Sequence, residues 1–159
     1  MSRWTGIAVV FCFVFHLSGW QKDSAAPVRP SFTGVWQLDA SKSQSEVKDL
    51  TWKIDQKEAE ISIEELSGGK GLCLAKCSIG KPCEFEDGGK KMSAMTYFLD
   101  GTLIQTRSVP DNSNVIKRKF TLNGDGSLRV ELITIMPVDK TEVLVFTKAA
   151  APLAPKPAK

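Results

Sequence analysis

Phe32-Thr33-Gly34-Val35-Trp36-Gln37-Leu38-Asp39 is the stretch that decides the fold. Gly34-x-Trp36 opens a strand in which Trp36 and Leu38 alternate toward one face while Val35 and Gln37 point to the other. Residues N-terminal to this stretch have the character of an export leader, and the residues C-terminal to it read as one β-sheet. Leu50 to Asp55 carries apolar residues at even positions and Glu60 to Glu64 at odd ones; the parity changes across Gln56-Lys57-Glu58, as a tight turn between antiparallel strands requires. Met92 to Leu99 and Thr102 to Val109 flank Asp100-Gly101, a pair suited to a two-residue hairpin turn. Asn114 to Leu122 and Ser127 to Ile135 flank Asn123-Gly124-Asp125-Gly126, and Thr141 to Thr147 forms a last strand.

The pattern predicts an all-β domain, a single antiparallel up-and-down barrel of about eight strands with short turns and no long helix. Such a meander leaves two unpaired edges unless it closes, so a barrel is favoured over the alternative, an open β-sandwich. Ser67-Gly68-Gly69-Lys70-Gly71 interrupts the alternation and introduces a cysteine segment, after which strands resume at Lys91.

The chain has 159 residues, room for one domain once its ends are set aside. Residues 1–26 read as a signal peptide and the start of a linker. Arg3 precedes the apolar run Ile7 to Phe15, which is shorter than the ~20 residues a membrane span needs. Cleavage after Gly19 or after Ala26 fits the small residues there, Pro27 arguing against the latter. Residues 27–31 complete the linker, residues 32–148 form the barrel domain, and residues 149–159 are a Pro/Ala/Lys tail with too little apolar content to pack. The expected product is secreted or periplasmic, with no stable membrane span; its oligomeric state is not legible.

The formal charge of +3 falls to about +2 without residues 1–26, because Arg3 and Lys22 leave together with Asp23. So near-neutral a chain, with scattered bases, makes no electrostatic case for nucleic acid. Lys117-Arg118-Lys119, its tightest basic run, lies in an alternating strand where at least two of the three belong to the surface. The single histidine, His16, lies in the leader. Without it the mature chain has no Ser-His-Asp or Cys-His catalysis and none of the usual zinc sites. The carboxylates Glu64-Glu65 and Glu84-x-Glu86-Asp87 read as edges and turns, and Asp125-Gly126 as a turn rather than a calcium loop. No catalytic constellation, metal site or cofactor is predicted.

Cys73, Cys77 and Cys83 remain after the leader. Gly80 and Pro82 reverse the chain between Cys77 and Cys83, which predicts that disulfide and leaves Cys73 over. In an extended strand Cys73 shares a face with Cys77 but lies ~13 Å away; it is read as a buried small residue, with another pairing or a free thiol as alternatives. Trp36, Leu38, Trp52, Ile54, Ile61, Ile63, Phe120, Leu122, Leu132 and Phe146 form the inward apolar set, either a packed core or the lining of a ligand pocket.

Phe32-Thr33-Gly34-x-Trp36-x-Leu38-Asp39-x-x-Lys42-Ser43 followed by a β-meander resembles the short secreted lipocalin-like (calycin-type) proteins of bacteria, most of them without assigned function. Cys77-x5-Cys83-x-x-x-Asp87-Gly88 and Tyr97-Phe98-x-Asp100-Gly101 belong to the same likeness, which covers about residues 32–148. It implies a barrel closed at one end by Gly34 and Trp36, the indole stacked near a base from the last strand, for which Lys148 is the candidate. The chain departs from the wider lipocalin pattern in having no Thr-Asp-Tyr motif. The expected function is non-catalytic binding of a small hydrophobic or amphipathic ligand. The alternative is a protein-interaction module, such as a periplasmic protease or lysozyme inhibitor, using residues 20–31 and the segment Ser67 to Lys91.

Overall fold

The computed structural model describes residues 29–149; the expected leader, the first part of the linker and all but Ala149 of the tail lie outside them. The strands are β1 (Gly34–Leu38), β2 (Leu50–Gln56), β3 (Glu60–Ser67), β4 (Lys70–Ser78), β5 (Pro82–Asp87), β6 (Lys90–Leu99), β7 (Thr102–Ser108), β8 (Val115–Leu122), β9 (Leu128–Met136) and β10 (Lys140–Lys148). Each pairs antiparallel with its neighbour in sequence, and β1 returns to β10, which closes the barrel. No helix is present among the described residues.

Ten strands replace the eight expected, because the cysteine segment is itself barrel wall. β4 turns Cys73, Ala75 and Cys77 inward and leaves Leu72 and Leu74 about half exposed. With small residues inside and large apolar ones outside, hydrophobic alternation reads out of phase and hides the strand. The segment from Ser67 to Lys91 is therefore not a free loop available as a binding plug; it is β4, β5 and their tight turns.

The closed end gathers the turns that come after β2, β4, β6 and β8. Asp100 and Gly101 both have positive φ (47° and 78°), the conformation that a two-residue turn needs to match the twist of its strands. Aromatic residues fill this half: Trp52 lies 4.7 Å from Phe146 and 5.7 Å from Phe120 between ring centroids, and Phe32 lies 6.4 Å from Phe120. Each such contact contributes ~0.5–1.5 kcal/mol beyond its buried area. Gln56 laces the chain entry, accepting from Phe32 N at 3.0 Å and donating to Pro30 O at 3.1 Å. The indole of Trp36 donates to Phe32 O at 2.8 Å.

At the other end are the connections after β1, β3, β5, β7 and β9. Residues 39–49 link β1 to β2 by turns and bends, fastened to β10 where Gln44 N donates to Val143 O and Val145 N donates to Ser43 Oγ. The ladder is sparsest between β4 and β5, which share one pair, Cys73 with Asp87. The Cys77–Cys83 disulfide pins the other end of that seam, with a Cα separation of 5.3 Å.

Candidate functional site

Above the aromatic floor the inward positions turn polar. Strand parity places Glu65 (β3), Cys73 (β4), Thr96 (β6), Gln105 and Arg107 (β7) and Arg118 (β8) inside the barrel, and all are buried. Two β-bulges adjoin them. The one at Glu65/Leu66 brings two consecutive side chains to buried positions, and the one at Val115/Ile116 lies two residues before Arg118. Bulges re-aim side chains where regular alternation would not.

Glu65 is the hub. Arg118 grips it in bidentate fashion, Nη1 to Oε1 at 2.6 Å and Nη2 to Oε2 at 3.2 Å. Arg107 Nη2 lies 2.7 Å from the same Oε1 in a close ion pair. Arg118 Nε is buried without an acceptor. Arg107 is held from behind: Nε donates to Gln105 Oε1 at 2.7 Å, and Gln105 Nε2 donates to Thr96 Oγ1 at 3.2 Å. Its guanidinium also lies 4.8 Å from the Phe85 ring, while that of Arg118 lies 5.1 Å from Trp52, which joins the polar layer to the floor.

Burial alone would raise the Glu65 pKa, but attraction to Arg118 and Arg107 outweighs it and brings the carboxyl down to about 2. Burial, and then repulsion by Arg118, lowers Arg107 from its ordinary value. The Cys73 thiol donates to Glu65 Oε1 at 3.2 Å; burial and the Glu65 charge push its pKa up to about 11, so it is a neutral thiol and a poor nucleophile. Two guanidiniums thus face one carboxylate, and the layer carries one positive charge in excess.

One pleat nearer the mouth, Arg107 is in register with Ile116 and Ala94. There a cavity of about 400 Å³ opens between Met92, Val109, Ile116 and Pro137, rimmed by Asp87, Lys90, Ser113 and Asn114. The arrangement is a cavity of mixed apolar and polar lining at the mouth, with the buried cationic, hydrogen-bond-donating layer beneath it and outside its lining. Among the described residues no cluster of three or more His, Cys, Asp or Glu is placed to hold a metal.

Of the apolar set read from the sequence, Trp36, Leu38, Trp52, Ile54, Ile61, Ile63, Phe120 and Phe146 are buried, and Leu122 and Leu132 are half-buried against the same cluster. Trp36, Trp52, Phe120 and Phe146 form the packed floor rather than the mouth. Lys148 is in register with Trp36, its ammonium 5.6 Å from the indole, and a Cβ on Gly34 would come within 2.8 Å of Lys148 Cε. Cys77 and Cys83 are joined and Cys73 is free and buried.

Of the polar layer, the sequence reading takes Cys73 as buried, Glu65 as an edge or turn, and Arg118 as one of a basic run in which at least two of three belong to the surface; it does not single out Thr96, Gln105 or Arg107. Arg118 carried a signal, since it shares the parity of Ile116, Phe120 and Leu122. Gln105 and Arg107 share that of Leu103, but polar residues on an inward face read as an outward face until the pairing is known.

No family model and no curated protein matches the chain. Solved structures share its fold. A secretory abundant heat soluble protein of Ramazzottius varieornatus superposes with a TM-score of 0.65 at 14% identity, over 77% of this chain and 98% of that one. Fatty-acid-binding protein 1 of Echinococcus granulosus gives 0.58 at 13%, over 75% and 98%. Lipid binding protein 8 of Caenorhabditis elegans gives 0.57 at 15%, over 74% and 95%. At such identities the likeness is one of fold: a closed antiparallel up-and-down β-barrel.

Proposed function

We propose that this chain is an exported, non-catalytic barrel that binds one small anionic amphiphile, its head group at Arg107 and Arg118 and its hydrocarbon chain directed toward the mouth. The observation that carries this reading is the charge imbalance of two buried guanidiniums sharing one carboxylate, together with a buried donor, Arg118 Nε, that has no acceptor. A buried cation without a counter-charge is costly, and an entering carboxylate supplies both the charge and the acceptors. The cavity at the mouth, with Met92, Val109, Ile116 and Pro137 as its apolar part, is the size of an ordinary small-molecule pocket. Two of the fold relatives are named for lipid or fatty-acid binding, which agrees with such a ligand. The disulfide fits an oxidising compartment, in keeping with export.

Calorimetric titration with dodecanoate and with dodecanol tests the reading. Dodecanoate is expected to bind one per chain and more tightly than the alcohol, and Arg107→Gln to weaken it by ~10- to 100-fold, the range of a lost charge-assisted hydrogen bond. Absence of binding, or equal binding by Arg107→Gln, would remove the basis for it.

A further inference from the structure

We propose that Glu65 sets the charge count of the interior layer at one positive charge, so that the protein accepts singly charged amphiphiles and rejects doubly charged ones. This rests on the reading of the layer as a head-group site. Glu65 touches both guanidiniums, taking two bonds from Arg118 and a close ion pair from Arg107. A carboxylate in that position is no passive neighbour. It neutralises one arginine, occupies acceptor positions that a larger anion would use, and repels any second negative charge brought to the same pair.

The layer is walled from below by Trp52, which lies against Arg118, and on the side by Phe85, which lies against Arg107. It is therefore poorly screened, and the balance of charges inside it decides what enters. The groups facing it are few: Glu65, Arg107, Arg118 and the neutral Cys73, Thr96 and Gln105. Asp87 and Lys90 at the rim of the mouth are of opposite sign and leave the count unchanged. A monoanion brings the layer to neutrality, whereas a dianion leaves a buried negative charge beside Glu65.

The charge count can be stepped by substitution. It is one in the wild type, two in Glu65→Gln, one again in the double variant Glu65→Gln/Arg107→Gln, and zero in Arg107→Gln. The probes are dodecanoate, dodecyl phosphate at about pH 8, where its head group is close to doubly charged, and neutral dodecanol. The wild type is expected to favour dodecanoate over dodecyl phosphate by at least ~10-fold, Glu65→Gln to abolish or invert that ratio, and the double variant to restore it. The double variant separates charge from head-group shape, since both probes keep their geometry throughout.

Arg107→Gln keeps the test decisive if Glu65→Gln does not fold: with a count of zero it is expected to bind dodecanoate no better than dodecanol. A dodecanoate-to-phosphate ratio that stays the same in wild type, Glu65→Gln and the double variant overturns the proposal while leaving the head-group site standing. So does a wild type that prefers the phosphate. Failure of every protein to bind either anion overturns both.

Discussion

Acid should destabilise the wild-type barrel through one identifiable proton, the one that Glu65 takes up. Its pKa in the fold is about 2, against 4.5 for an unperturbed glutamate. A depressed carboxyl contributes stability that is fully present above the unfolded value and is lost as pH falls through the folded one. The window is therefore about pH 4.5 down to 2, and the shift corresponds to about 3 kcal/mol at 1.36 kcal/mol per unit. Exposed carboxylates such as Asp39, Asp111 and Asp125, also lowered by hydrogen bonds to nearby serines, add their own acid sensitivity. They remain in Glu65→Gln and cancel in the comparison. Urea unfolding followed by the fluorescence of buried Trp36 and Trp52 measures stability at each pH. Glu65→Gln starts less stable at neutral pH, because two buried guanidiniums lose their counter-charge, at ~3–5 kcal/mol for a broken buried pair. Its deficit should then shrink by about 3 kcal/mol as pH falls through the window. Parallel stability curves for the two proteins would refute the reasoning, since Glu65 would then carry no special proton linkage.

The wall and the floor lead to three further expected outcomes. Cys83→Ser should cost about 2 kcal/mol by the loop-entropy argument, and should raise amide exchange selectively from Gly71 to Gly89, because one ladder pair alone then joins β4 to β5; uniform exchange across the barrel would contradict this. Cys73 should resist thiol reagents at neutral pH and react only in denaturant, and its raised pKa implies stability kept below about pH 9 and lost toward about 11. Rapid labelling of the native protein would count against that burial. Gly34→Ala should destabilise the closed end by ~1–3 kcal/mol in thermal unfolding, because Gly34 holds a φ of 155° that a residue with a Cβ rarely adopts, the nearby Lys148 side chain being able to move aside; an unchanged melting temperature would show that the backbone relaxes there without cost.

The architecture was legible wherever strands alternate conventionally. Trp36 with Leu38, Trp52 with Ile54 and Ile61 with Ile63 are strand pairs whose parity alone turns them inward, and Asp100-Gly101 marks its hairpin by residue type. β4 escaped because Cys73, Ala75 and Cys77 are small where a core strand is usually large, and because Leu72 and Leu74 face out. The site escaped for a related reason. Arg107 and Arg118 are tolerable inside because Glu65 of β3, in register with Trp52 of β2, reaches them across the barrel. Sequence spacing shows neither that convergence nor the bulge that brings Leu66 inward beside Glu65. Parity did mark Arg118 as inward, yet a lone charge between apolar residues reads as surface until its partner is known.

A crystal structure of the protein with dodecanoate tests the central claim most directly. The account predicts the carboxylate within hydrogen-bonding distance of Arg107 Nη2 or Arg118 Nε, with the chain running past Ile116 and Met92 toward the mouth. A carboxylate at the rim beside Lys90 with its chain buried, or a molecule bound only on the outer wall, would contradict it.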